Sequence, residues 1–121
     1  MNTPRRILEK RRSVRISEPL LFKIGHKGYD IQAITINISC HGAMCVVDQD
    51  IPMMSQLKIG LELPGRAAGK TKTIHMKGVL VRKEKDVRTG RFLVAVYFSD
   101  MKPQDQKRLE KFIDHYLKKT P

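Results

Sequence analysis

Tryptophan is absent from this 121-residue chain, and three Tyr with four Phe bring aromatic residues to only 6%. Proteins that grip single-stranded nucleic acid without sequence preference line a basic groove with exposed rings for base stacking, so this scarcity argues against a nucleic-acid partner. Two cysteines are too few for a disulfide-stapled secreted scaffold. No apolar run approaches the ~20 residues of a bilayer-spanning helix, so no membrane span is expected. The opening MNTPRR leads into no apolar core, which predicts no secretory leader and a cytoplasmic location. Signatures of catalysis are missing as well: no GxSxG, HExxH, P-loop or paired-carboxylate motif occurs, and His26, His75 and His115 are scattered. The expectation is a protein that is not an enzyme and carries no cofactor. Acidic residues are also scarce, 12 against 24 Lys and Arg, a net charge of +12 that points to an anionic partner.

What the chain does contain suffices for one core. At 121 residues and 40% hydrophobic it has the size of one domain, burying roughly two-thirds of its unfolded surface. The charge is uneven. Residues 1–15 hold six basic side chains (Arg5, Arg6, Lys10, Arg11, Arg12, Arg15) against Glu9 alone. Residues 1–9 therefore read as a basic arm and residues 10–121 as one folded domain. Arg dominates this region, and its planar guanidinium suits bidentate contact with phosphate or a guanine edge. Ile7 and Leu8 are its few apolar anchors, which predicts an arm that is mobile until a ligand binds.

Period-2 patterns separated by turn residues predict about six short strands. Leu20 to Ile24 is followed by Gly25-His26-Lys27-Gly28, read as a tight connection. Ile31 to Ile38 puts Ile34, Ile36 and Ile38 on one face, with Thr35 and Asn37 on the other. Ala43 to Val47 comes next. Leu57, Ile59, Leu61 and Leu63 then alternate with polar residues or Gly, as in a half-buried strand. A loop at Pro64-Gly65 precedes Thr73 to Lys83, where Ile74, Met76 and Leu80 oppose His75, Lys77 and Val79. After a turn at Arg88-Thr89-Gly90, Phe92, Val94, Val96 and Phe98 alternate again. Strands with no helical pattern between them predict an all-β antiparallel barrel or sandwich, and closure removes two exposed edges. Leu109, Phe112, Ile113, Tyr116 and Leu117 then share one face of a C-terminal α-helix at about 103–118. Pro103 and Asp105 suit its first turn, Lys118 and Lys119 its last.

Cys40, His41 and Cys45 have donor types of a metal site, but one short cluster falls short of the four ligands of structural zinc. Cys45 reads as a core side chain and Cys40 as a loop thiol, so no metal is expected. Two other patterns carry more. Arg11-Arg12-Ser13-Val14-Arg15 is RxxxR, which a chain with ten Arg shows about once by chance. Asn37-Ile38-Ser39-Cys40-His41-Gly42 is [DN]xSxxG, which this composition yields in about one chain in forty. Their order, their spacing and the strands and helix that follow make the combination specific.

In this arrangement the chain resembles the PilZ domain family, bacterial receptors for cyclic di-GMP, from about Lys10 to Lys118. Gly78-Val79-Leu80-Val81-Arg82 is similar to that family's fifth-strand segment, and Val94-Ala95-Val96-Tyr97-Phe98 to its sixth. The resemblance implies a six-stranded antiparallel β-barrel with a C-terminal α-helix. It also implies a ligand that is a compact dianion bearing two guanines. Such a ligand needs cations for phosphate, forked donors for guanine O6 and N7, and acceptors for guanine N1–H and N2–H₂.

On this resemblance Arg11 and Arg15 supply the forks, and Arg12 a third contact. Asn37 accepts from guanine through its carbonyl, and Ser39 donates to a phosphate or accepts from a base. Gly42 lets the backbone turn and the ligand approach. Lys10, His41 and Arg82 are further candidates: Arg82 by stacking or clamping, and Lys10 by helping to neutralise an intercalated ligand pair. The implied function is a nucleotide receptor that folds its arm across the barrel mouth and signals to a downstream protein. Two other readings stay open: a PilZ-like adaptor working by protein contact alone, and a basic nucleic-acid module whose affinity falls steeply with salt. The loop itself also reads as an ordinary Ser-stabilised turn with Gly42 at positive φ.

Overall fold

The structure, a computed structural model, describes residues 14–65 and 71–119. Strands β1 (Leu21–His26), β2 (Tyr29–Ile38), β3 (Gly42–Val47), β4 (Gln56–Pro64), β5 (Thr71–Lys85) and β6 (Phe92–Met101) precede helix α1 (Pro103–Lys119). All pairings are antiparallel, and the sheet closes in the order β1-β2-β3-β6-β5-β4, with β4 returning to pair with β1. The expected six-stranded barrel with a C-terminal helix is the fold observed.

Alternation builds the core as the sequence predicts in β4, β5 and β6. Leu57, Ile59, Leu61 and Leu63 point inward, as do Ile74, Met76 and Leu80, and Val94, Val96 and Phe98. Phe22 stacks on Phe98 with ring centroids 6.3 Å apart. Leu109 and Ile113 of α1 join the same core, with Phe112 and Tyr116 packed against it. Each fully buried side chain of this size contributes roughly 1.5–3 kcal/mol.

Two expectations are corrected. The connection after β1 is narrower than Gly25–Gly28, because Gly25 and His26 continue the strand and pair with Asp30 and Tyr29. Only Lys27 and Gly28 turn, at φ 49° and 82°, the left-handed pair of a two-residue hairpin whose twist matches its strands. The second correction concerns β2. Ile31, Ala33 and Thr35 face the core, whereas Ile34 and Ile36 face outward, 57% and 45% exposed. The ladder with β3 slips between Thr35 and Asn37, so Ile36 is the extra residue of a bulge. That insertion returns Ile38 to the core and leaves Ile36 outside.

An inward Thr is tolerated because its hydroxyl is fully used. Thr35, 2% exposed, accepts from the Leu20 amide at 2.8 Å and donates to the Glu18 carbonyl at 2.7 Å. Ile16 and Ile38 exchange backbone hydrogen bonds at 2.9 and 3.0 Å. Residues 16–20 are thereby pinned along β2, and the Tyr116 hydroxyl of α1 donates to the Ser17 carbonyl at 3.4 Å. Thr35→Val keeps the shape but strands two backbone groups, so unfolding in urea is expected to show a loss of about 2 kcal/mol. An unchanged midpoint would mean that the hydroxyl does not pin this segment.

Candidate functional site

The Ile16–Ile38 rung decides where Arg15 stands. One residue before the rung, Arg15 leaves the barrel wall beside the β2–β3 connection. Its Nη1 donates to Asn37 Oδ1 at 2.8 Å across 22 residues of sequence. The bulge at Ile36 supplies the other half of this contact by leaving Asn37 half-buried on the outer surface. Asn37 Nδ2 is itself steadied by Met44 Sδ, 3.6 Å away on β3, a weak acceptor. A neutral amide orients the guanidinium without neutralising it. The arrangement therefore presents a fixed cation with outward-facing donors, the chemistry that binds phosphate or a guanine edge.

The other motif positions build the turn beneath this pair. Ser39 is 2% exposed. Its hydroxyl donates to the Gly42 carbonyl at 3.3 Å and accepts from the His41 amide at 3.2 Å, while its own amide donates to the Gly42 carbonyl at 2.8 Å. Gly42 is needed for closeness: a Cβ there would stand 2.5 Å from the Val96 carbonyl oxygen of β6. Its φ lies outside the left-handed region, which among the described glycines only Gly28 and Gly90 adopt. A Ser-stabilised turn is thus present, but Gly42 serves the β3–β6 approach.

His41 is exposed at the turn's tip, and its carbonyl accepts from the Phe98 amide at 2.8 Å. Arg82 stands in the same transverse row as Asn37, through Met44 and Ala95. Three strand spacings, about 14 Å, separate them, and Arg82 Nη2 donates to Glu84 Oε1 at 2.7 Å. Arg15, Asn37, Ser39 and Gly42 are brought together; Arg82 is not in contact with them. Lys10, Arg11, Arg12 and the arm of residues 1–9 lie outside the described residues. Cys40 is buried in the turn and Cys45 is sealed inside the barrel, whereas His41 points to solvent, so these three do not converge.

Sequence reasoning missed Thr35 and Met44, which hold the site without belonging to a motif. Thr35 was legible as a polar residue among isoleucines, but its inward direction follows the phase of Ile31 and Ala33 rather than that of Ile34 and Ile36.

A model of the PilZ domain matches residues 9–115. The chain belongs to the PilZ domain family. Among solved structures this PilZ domain is similar to the Bacillus subtilis inhibitor of motility MotI/DgrA, at 22% identity and TM-score 0.76 over 89% of this chain and 52% of that one. It is also similar to Borreliella burgdorferi PlzA in complex with c-di-GMP, at 12% identity and TM-score 0.60 over 99% of this chain and 58% of that one. A third likeness is to the PilZ domain of Escherichia coli YcgR with c-di-GMP, at 16% identity and TM-score 0.57 over 87% and 88%. At these identities the likeness is one of fold. The chain spans about half the length of the first two of these proteins. No match is found among curated proteins.

Gly42→Ala is expected to cost about 1–3 kcal/mol, because the new methyl meets backbone that cannot swing away. Gly60→Ala is the control, since its nearest neighbour beyond the adjoining residues is a Thr73 methyl at 3.6 Å, and it should stay within ~0.5 kcal/mol. Equal midpoints for the two in urea would contradict the close-approach role.

Burial also pushes the Cys45 thiol up to about 12 from 9.0. The folded state therefore holds its proton where the unfolded state releases it. The stability this contributes is whole below pH 9 and is lost toward pH 12, at up to ~1.4 kcal/mol per pH unit. Cys45→Ala should flatten that part of a stability–pH curve; an identical slope in parent and variant would contradict the buried thiol.

Proposed function

We propose that this PilZ domain is a receptor for cyclic di-GMP. The observation that carries the reading is the 2.8 Å bond from Arg15 to Asn37, which joins the two sequence motifs at one outward-facing point. Arg15 offers a forked cation to phosphate or guanine, and Asn37 holds it in place and offers its amide to the base edge. Arg11 and Arg12 supply further cations to the ligand, and His41 stands exposed at the turn's tip. Ser39 and Gly42 contribute by shaping the turn, and ligand meets them through the backbone. Two of the similar structures contain c-di-GMP, which supports this choice of ligand over other anions.

The receptor works without chemistry on its ligand. Binding draws the arm of residues 1–9 onto the barrel, changing shape and charge together, and a downstream protein senses the change. Lys10 favours an intercalated ligand pair by offsetting its phosphates, and Arg82 lies too far from Asn37 to join the first contact. A protein of net charge +12 attracts many anions, so selectivity for the dinucleotide at fixed salt is the relevant property.

Calorimetric titration tests this. Cyclic di-GMP should bind saturably while GTP and a short RNA do not, with two ligands per chain. Arg15→Ala should lose about 10- to 100-fold in affinity, the scale of a charge-assisted hydrogen bond. Unchanged affinity in Arg15→Ala would overturn the site, and one ligand per chain would overturn the pair. Salt-sensitive heat with RNA alone would overturn the receptor.

A further inference from the structure

Of the four Phe and three Tyr in the chain, only Tyr29 and Tyr97 are exposed, at 69% and 52%. Tyr29 opens β2 at its hairpin turn, eight residues and about 25 Å from Asn37. The outer rows of β1, β4 and β5 are polar and hold no Phe or Tyr: Lys23, Gly60 and His75 form one, and Gly25, Lys58 and Lys77 the next. Tyr97 is placed differently. Its neighbours Val96 and Phe98 are buried, so its own side chain stands on the outer surface of β6. Its cross-strand partner is Gly42. The Ile16–Ile38 rung, carried on by one residue, sets Arg15 level with Ser39, whose amide donates to the Gly42 carbonyl. Arg15, Ser39, Gly42 and Tyr97 therefore form one transverse row. No side chain rises between its ends, because Ser39 folds its hydroxyl into the turn and Gly42 has none. Arg15 and Tyr97 thus flank bare backbone, three strand spacings or about 14 Å apart at their Cα atoms. Asn37 and Met44 stand in the next row. An aromatic residue beside a strand glycine can fold over it, yet half of Tyr97 remains in water. Among the described residues its ring and hydroxyl make no hydrogen bond or ring contact.

We propose that Tyr97 is a base-stacking residue of the nucleotide site: one guanine of cyclic di-GMP lies over Gly42, its face on the Tyr97 ring and its edge toward Arg15. The inference rests on the receptor reading and adds the contact that meets the flat face of the base. Arg15 and Asn37 address charge and base edges. A purine also has π faces, and an exposed aromatic ring is the side chain on which an unpaired base stacks. Gly42, required for the approach to β6, also keeps the floor clear between cation and ring.

Calorimetry with cyclic di-GMP on three variants, and NMR of the tyrosine ring protons in the parent, test this. Tyr97→Leu keeps an apolar cover over Gly42 but removes the π face, and should bind roughly 5- to 150-fold more weakly. Tyr97→Phe restores that face and should recover the binding that Tyr97→Leu loses. Tyr29→Leu, on the far end of β2, should bind as the parent does. Urea midpoints of all three exposed-site variants should match the parent. At saturating nucleotide the Tyr97 ring protons should move upfield, the direction in which a stacked purine shields them, while those of Tyr29 stay in place. Parent-like affinity in Tyr97→Leu, an equal loss in Tyr29→Leu, no recovery in Tyr97→Phe, or Tyr97 ring protons that do not move upfield would overturn the stacking role and leave the receptor reading standing. A parent that does not bind cyclic di-GMP would overturn the receptor reading and the stacking role with it.

Discussion

A single antiparallel rung, Ile16 against Ile38, ties the basic N-terminal region to the barrel, and the geometry of the candidate site follows from it. The rung is short, so it is reinforced on both sides. Thr35 spends its buried hydroxyl on the backbone at Glu18 and Leu20, and Tyr116 reaches Ser17 from the helix. A backbone fixed at residues 16–20 leaves Arg15 little choice of origin. The bulge at Ile36 then presents Asn37 at the point where the guanidinium arrives. Strand irregularities of this kind re-aim side chains beside functional sites, and here one extra residue sets both the core contact of Ile38 and the exposure of Asn37.

The pairing of a strong cation with a neutral amide has an electrostatic consequence. A carboxylate at position 37 would hold Arg15 more firmly but would offset much of its charge before any ligand arrived. Asn37 orients the guanidinium and leaves its charge to an anion. The proposed ligand, cyclic di-GMP, brings both phosphate and a guanine edge, groups that a guanidinium fork binds. The wider +12 field raises encounter rates with any anion, and discrimination has to come from this fixed geometry.

Much of the fold was legible because strand alternation in β4, β5 and β6 and the helical spacing from Leu109 to Leu117 are clean. In β2 the strongest apolar alternation, Ile34 and Ile36, lies on the outside. Hydropathy alone does not say which face of a strand meets the core. Nor could it show that Thr35 satisfies two backbone groups. The two motifs meet in the fold, where Arg15 bonds Asn37 at the start of the Asn37–Gly42 turn. The labour within it is divided differently from the sequence expectation. Ser39 and Gly42 are occupied by the turn and the β3–β6 approach, constraints set by residues far away in sequence such as Val96. Arg82 shares the row of Asn37 but lies beyond contact, because register in a barrel emerges only when all six strands close.

The most direct measurement is an amide and side-chain NMR titration of the full chain with cyclic di-GMP at fixed salt. The largest shifts should fall on the Arg15 guanidinium N–H, the Asn37 side-chain amide and the backbone of residues 39–42. The polar side at Lys23, Lys58 and His75 should stay still. Shifts spread over that side instead, or a spectrum that does not change at saturating nucleotide, would contradict the site at Arg15 and Asn37.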